Sequence, residues 1–186
     1  MKSKNRSSTI YQIQATVCLI TVCLLSIGCG SGNDSNTKSE GPAYDGSKFL
    51  AKSDIAGATE VTEARETVKN SDEIIIVGRI GGSLDPWVAG RAAFFIVDRS
   101  LKSCIDGTPE GESCSCETPW DYCCATDQLK DAMALVKFVE NNGKVVDHDA
   151  RKIFGIKELQ TVTVQGTAER DDAGNLTILA TKMFVQ

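Results

Sequence analysis

The chain has one histidine, His148, four prolines and only 6% aromatic residues. A single imidazole leaves little for general acid–base chemistry. The motifs that usually carry such chemistry are missing as well. There is no Ser-His-acid set with a nucleophile elbow, no zinc-protease motif and no phosphate-binding glycine loop. Gly78-Arg79-Ile80-Gly81-Gly82 is glycine-rich, but Arg79 and Ile80 continue a strand instead of opening a helix, so the glycines read as a bend. Basic residues interleaved with aromatics, as in a single-strand nucleic-acid binder, are absent. No uninterrupted apolar run reaches the roughly 20 residues that a membrane span needs. With 41% hydrophobic and 24% charged residues, the composition excludes disordered, collagenous and polytopic membrane chains. The 186 residues allow one domain with tails, or two very small ones.

What is present begins at the N-terminus. Lys2, Lys4 and Arg6 precede an apolar run from about residue 13 to 28 that includes Val17, Leu19, Ile20, Val22, Leu24, Leu25 and Ile27. A basic segment, a short apolar segment and then small residues make a secretory signal peptide, here residues 1–28. The run ends Leu25-Ser26-Ile27-Gly28-Cys29. This resembles a bacterial lipobox, in which lipid is attached to the cysteine sulfur and cleavage falls just before it. Ser26 departs from the usual leucine. The resemblance implies lipidation at Cys29. With Gly30 and not aspartate after it, it also implies an outer-membrane location facing the periplasm. Cys18 and Cys23 would leave with the signal peptide. Cleavage removes three positive charges and no negative one, so the net charge goes from −5 to −8. An acidic domain repels phosphate backbones, which argues against a nucleic-acid partner.

Residues 29–46 are small, polar and turn-forming, a tether that cannot bury enough surface to fold. The domain is read as 47–186. Val61, Ala64 and Val68 share one face of a helix spanning about 59–69, with Arg65 and Glu60, Glu63 and Glu66 in solvent. Five strands follow, over 73–80, 92–98, 134–139, 161–169 and 175–185. The fourth alternates cleanly, with Val162, Val164 and Ala168 on one face. Asn142-Gly143 and Asp171-Asp172-Ala173-Gly174 predict hairpins. Asp149–Leu159 predicts a short helix, weakened by Gly155. Three strands, a helix and a two-strand hairpin match a five-stranded OB-fold-like barrel, a mainly β fold, with a small β-sandwich as the alternative. Val77–Gly82, Val162–Thr167 and Gly174–Ile178 resemble OB-fold-like domains of uncharacterised bacterial envelope lipoproteins, over about residues 72–186.

Cys104, Cys114, Cys116, Cys123 and Cys124 crowd the long connection between the second and third strands. Three chemistries compete there. An exported chain favours disulfides, two bridges from five cysteines with one left over. Cys114-Ser115-Cys116 and Cys123-Cys124 alternatively offer thiolates to zinc or copper, although their spacing is not that of a structural zinc site. A reactive thiol would lack a Cys-x-x-Cys motif. Trp120 and Tyr122 lie beside these cysteines, and Trp87 lies in the loop between the first two strands, which helps build the ligand face of OB-folds. The three aromatics either converge on one binding groove or plug the barrel end and cover the loop. His148 between Asp147 and Asp149 reads as a solvated helix cap. The chain therefore predicts a non-catalytic, lipid-anchored envelope protein that binds a small ligand or an envelope partner and needs no cofactor. Zinc or copper binding at the cysteines is the alternative.

Overall fold

Runs of Ile, Val and Phe form the strands, because branched and aromatic side chains fill a pleated surface whose inner face is dry. The computed structural model describes residues 44–107 and 115–186. The expected signal peptide, Cys29, the tether as far as residue 43, and Cys114 lie outside the described residues. In chain order the elements are β1 (Thr59–Glu60), α1 (Val61–Thr67), β2 (Glu73–Ile80), β3 (Ala93–Val97), α2 (Thr126–Ala132), β4 (Met133–Phe138), α3 (Ala150–Phe154), β5 (Thr161–Arg170) and β6 (Leu176–Val185). Among the described residues no helix is long and apolar enough to cross a membrane.

The strands pair in the order β2-β3-β4-β6-β5, and β5 returns to β2 to close a five-stranded barrel. All pairings in this ring are antiparallel except β4 with β6, which run parallel from Leu135 opposite Thr177 to Phe138 opposite Ala180. With α3 between β4 and β5, this is the OB-fold-like order that the sequence predicts. β1, which the sequence does not announce, adds a two-residue parallel pairing to β2. Ile76, Ile80, Phe94, Ile96, Val136, Phe138, Val162, Val164, Ile178 and Met183 fill the interior. Burying each stabilises the fold by about 1.5–3 kcal/mol before entropy is charged against it.

α1 is shorter than the expected 59–69, and its ends are held from the barrel. Asp98, just after β3, accepts the Thr62 N–H at 2.7 Å through Oδ2. Arg170, the last residue of β5, donates to the carbonyls of Val68 (2.8 Å), Ala64 (3.3 Å) and Arg65. An anion at the first turn and a cation at the last satisfy the groups a helix end leaves unpaired, and both signs suit the helix dipole. Val61 and Ala64 enter the core as expected. Arg65 does not face solvent as expected. It is half-buried and donates to the carbonyls of Met133 at 3.0 Å and Gly174 at 3.4 Å.

α3 also ends early. Asp149 caps it by accepting the Arg151 N–H at 3.0 Å, but Gly155 turns left-handed at φ 67° and stops it after Phe154. Ile156 is buried from the following extended segment. Both expected turns form. Val146 N–H donates to Phe138 O across the Asn142-Gly143 turn at 3.0 Å, and Asp171 N–H donates to Asn175 O at 3.3 Å. Tyr44, assigned to the tether by sequence, already contacts the domain, stacking on His148 at 4.8 Å and donating its hydroxyl to Glu140.

Candidate functional site

The described parts of the connection from β3 to β4, residues 98–107 and 115–132, carry regular structure. It holds α2 and three single 3-10 turns, Cys104–Gly107, Pro119–Asp121 and Cys123–Ala125. Three non-cysteine contacts seat it on the barrel. Arg79 of β2 pairs with Asp106 at 2.5 Å, with both side chains largely shielded. Asp106 also accepts the Ser103 N–H and Oγ at 2.8 and 2.9 Å. Burial raises the Asp106 carboxyl, but the Arg79 and Ser103 donors outweigh it, and the net direction is below the ordinary value. Gly82 N–H donates to the Trp120 carbonyl at 2.8 Å. Tyr122, in the left-handed region at φ 55°, points its ring into a second small core with Val97, Leu101 and Ala132.

That anchoring changes the reading of the cysteines. Cys104 is disulfide-bonded, and its partner is none of the described cysteines. Cys116, Cys123 and Cys124 carry thiols, so the two-bridge staple expected from the sequence does not form among the described residues. An ion pair and a buried tyrosine hold the described parts of the connection. Cys116 is half-buried, and Cys123 and Cys124 are exposed. Cys123 and Cys124 place their sulfurs 3.9 Å apart, well beyond a bond. The contact with Cys124, then loss of solvent and then Asp121 push the Cys123 thiol up to about 12. A thiol that stays protonated at neutral pH is a poor nucleophile, which disfavours the reactive-thiol reading.

The three aromatics do not converge. Trp87 is 6% exposed and belongs to the barrel core. Its ring meets Phe94 edge-on at 5.7 Å, its Nε1 donates to Glu158 at 2.6 Å, and the Arg151 guanidinium lies 5.4 Å from its centroid. Tyr122 is 1% exposed in the second core. Its hydroxyl finds no hydrogen-bond partner among the described residues. Trp120 remains half-exposed and donates Nε1 to Leu84 O at 3.1 Å. Trp87 and Tyr122 are thus plugs, the other role the sequence allows them.

A different surface forms the concavity. Outward-facing Phe95 of β3 lies opposite Leu135 of β4, and Leu135 lies opposite Thr177 of β6. Around this floor Arg65 of α1, Lys130 of α2, Lys137 of β4, and Asp171 and Asn175 of the β5–β6 turn enclose a groove of about 550 Å³. That volume suits a small ligand. Three cations stand against one carboxylate in a chain with 25 acids and 20 bases. Arg65 also ties β4 to the β5–β6 turn through its two carbonyl contacts, which fixes the groove's width. The sequence does carry a signal for this floor. Alternation along β3 and β4 sends Phe95 and Leu135 outward, but pairing them needs the strand register.

The fold and the groove define a mainly β, OB-fold-like barrel with a cationic outer cleft. No protein-family model and no curated protein matches the chain.

Proposed function

We propose that this is a lipid-anchored cell-envelope protein, attached through Cys29 at the outer membrane and facing the periplasm, that works by binding and not by catalysis. Its ligand is an organic anion with an apolar body, held in the groove on the outer face of β3, β4 and β6. The observation that carries this reading is the joining of Phe95 and Leu135 with Arg65, Lys130 and Lys137 around one cleft of about 550 Å³. An apolar floor removes hydrocarbon surface from water, and a cationic rim selects the sign of the polar end. In a domain that is otherwise acidic, such a rim attracts anions locally. The lipobox resemblance supports the anchor, and the sequence's lack of a catalytic constellation supports a binding role.

The test uses an anionic aromatic probe, anilinonaphthalene sulfonate, beside an uncharged naphthalene of similar size. Charge reversal by Lys137→Glu weakens the sulfonate by about tenfold or more, close to 1.4 kcal/mol, and leaves the neutral probe unchanged. Phe95→Ala weakens both. Equal sulfonate affinity for the native chain and Lys137→Glu would sink the groove as the binding surface.

A further inference from the structure

An independent observation concerns the thiols of the β3–β4 connection. Cys116 Sγ, Cys123 Sγ and a carboxylate oxygen of Asp121 all lie within 4.8 Å of one another. Cys124 Sγ is 3.9 Å from Cys123 Sγ. A tetrahedron built on Zn–S bonds of about 2.3 Å has edges of about 3.8 Å. Cys116, Asp121 and Cys123 are therefore close enough to share one ion, and Cys124 lies beside Cys123 outside that group. We propose that Cys116, Asp121 and Cys123 form a zinc site at the surface of the β3–β4 connection, with the fourth position open to water.

The local structure holds these donors in place before any ion arrives. Tyr122, between Asp121 and Cys123, is locked in the second core and leaves its two neighbours at the surface. Asp121 Oδ1 accepts the Cys123 N–H at 2.8 Å, and Asp121 Oδ2 accepts the Thr118 hydroxyl at 3.0 Å. A carboxylate has lone pairs beyond those two bonds, so it can ligate while oriented by them. A mixed thiolate and carboxylate set suits Zn²⁺ better than Cu⁺, which prefers sulfur alone. Binding releases one proton from each ligating thiol to solvent, with no change in redox state. Because Cys123 and Cys124 are exposed, the site exchanges its ion with solution and is not a closed structural centre.

The test loads the full-length chain in detergent with Zn²⁺ and reads metal by elemental analysis and intact native mass. One zinc per chain is expected, with the native mass raised by one zinc less the displaced protons. Cys116→Ser and Cys123→Ser each lower affinity by about 100-fold, and Asp121→Asn by about tenfold. If a serine variant loses its fold by circular dichroism, Cys123→His replaces it, since imidazole keeps a zinc ligand and retains the ion. No zinc retained, a mass showing Cys116 bridged to Cys123 or Cys124, or uptake of Cu⁺ alone each overturns the proposal. Probe binding in the groove is unchanged by these variants, so the two readings fail separately.

Discussion

Asp98 shows how much one side chain can hold. It is 2% exposed, and a carboxylate so placed must be fully hydrogen-bonded. Its Oδ2 takes the Thr62 N–H, and its Oδ1 takes the Ser100 N–H at 2.9 Å and the Ser100 hydroxyl at 2.6 Å. Burial alone would raise its titration, but these donors to the charged form win, and the folded value lies below the ordinary 3.8. A carboxyl depressed on folding stabilises above its unfolded value. That contribution is lost as pH falls through the folded one. Asp98→Ala therefore costs about 2–3 kcal/mol at pH 7, because the Thr62 and Ser100 donors lose a charged acceptor. In urea melts the gap between native and variant stays level from pH 7 to about pH 5 and narrows below about pH 4. A gap that is unchanged down to pH 2 would show that the charge on Asp98 plays no part.

At the scale of elements, two glycines separate what is local from what is not. Gly155 ends α3 at φ 67° with open space around it. Gly155→Ala meets only the backbone penalty, about 1 kcal/mol. Gly166 sits at the bulge where β5 shifts register against β6, and a Cβ there would lie 2.2 Å from the Leu179 carbonyl oxygen. Gly166→Ala must push apart the longest pairing of the barrel. It costs at least 2 kcal/mol more than Gly155→Ala, read as a lower midpoint in denaturant. Equal costs would mean that β6 moves aside freely. The contrast also explains what was legible in the sequence. Local signals served well. Period-two alternation located β5 and β6, and Asn142-Gly143 located its turn. Gly155 was visible as a weakness, though not as the stop it proved to be. Non-local partners were not visible. Nothing near Arg65 or Arg170 in sequence announces that Arg65 bonds the Met133 and Gly174 carbonyls or that Arg170 bonds those at the end of α1, and the β3–β4 connection is held by Arg79 of β2, far outside the cysteine pattern. The cysteines drew attention as staples, whereas Tyr122 does the anchoring. Trp87 looked like a ligand residue because tryptophan suits both roles, and only its burial against Phe94 decides for the core.

For the molecule as a whole, the proposed anchor and the proposed binding domain would separate by charge. Without residues 1–28 the chain would carry −8, and an acidic chain gains nothing from an anionic leaflet, which holds basic segments at about 1 kcal/mol per residue. Under the proposed anchoring, membrane attachment would rest on acyl chains, at about 0.8 kcal/mol per buried methylene. Among the described residues, which begin at Tyr44, the barrel from β2 to β6 closes around one core. Cys29→Ser should therefore move the chain from the membrane to the soluble fraction on osmotic shock and remove the acyl mass from its N-terminal peptide. Its melting temperature and its affinity for the sulfonate probe should stay those of the native chain. A Cys29→Ser protein that still sediments with membranes would show that another part of the chain holds the lipid. One that is released but no longer binds would show that the membrane shapes the groove.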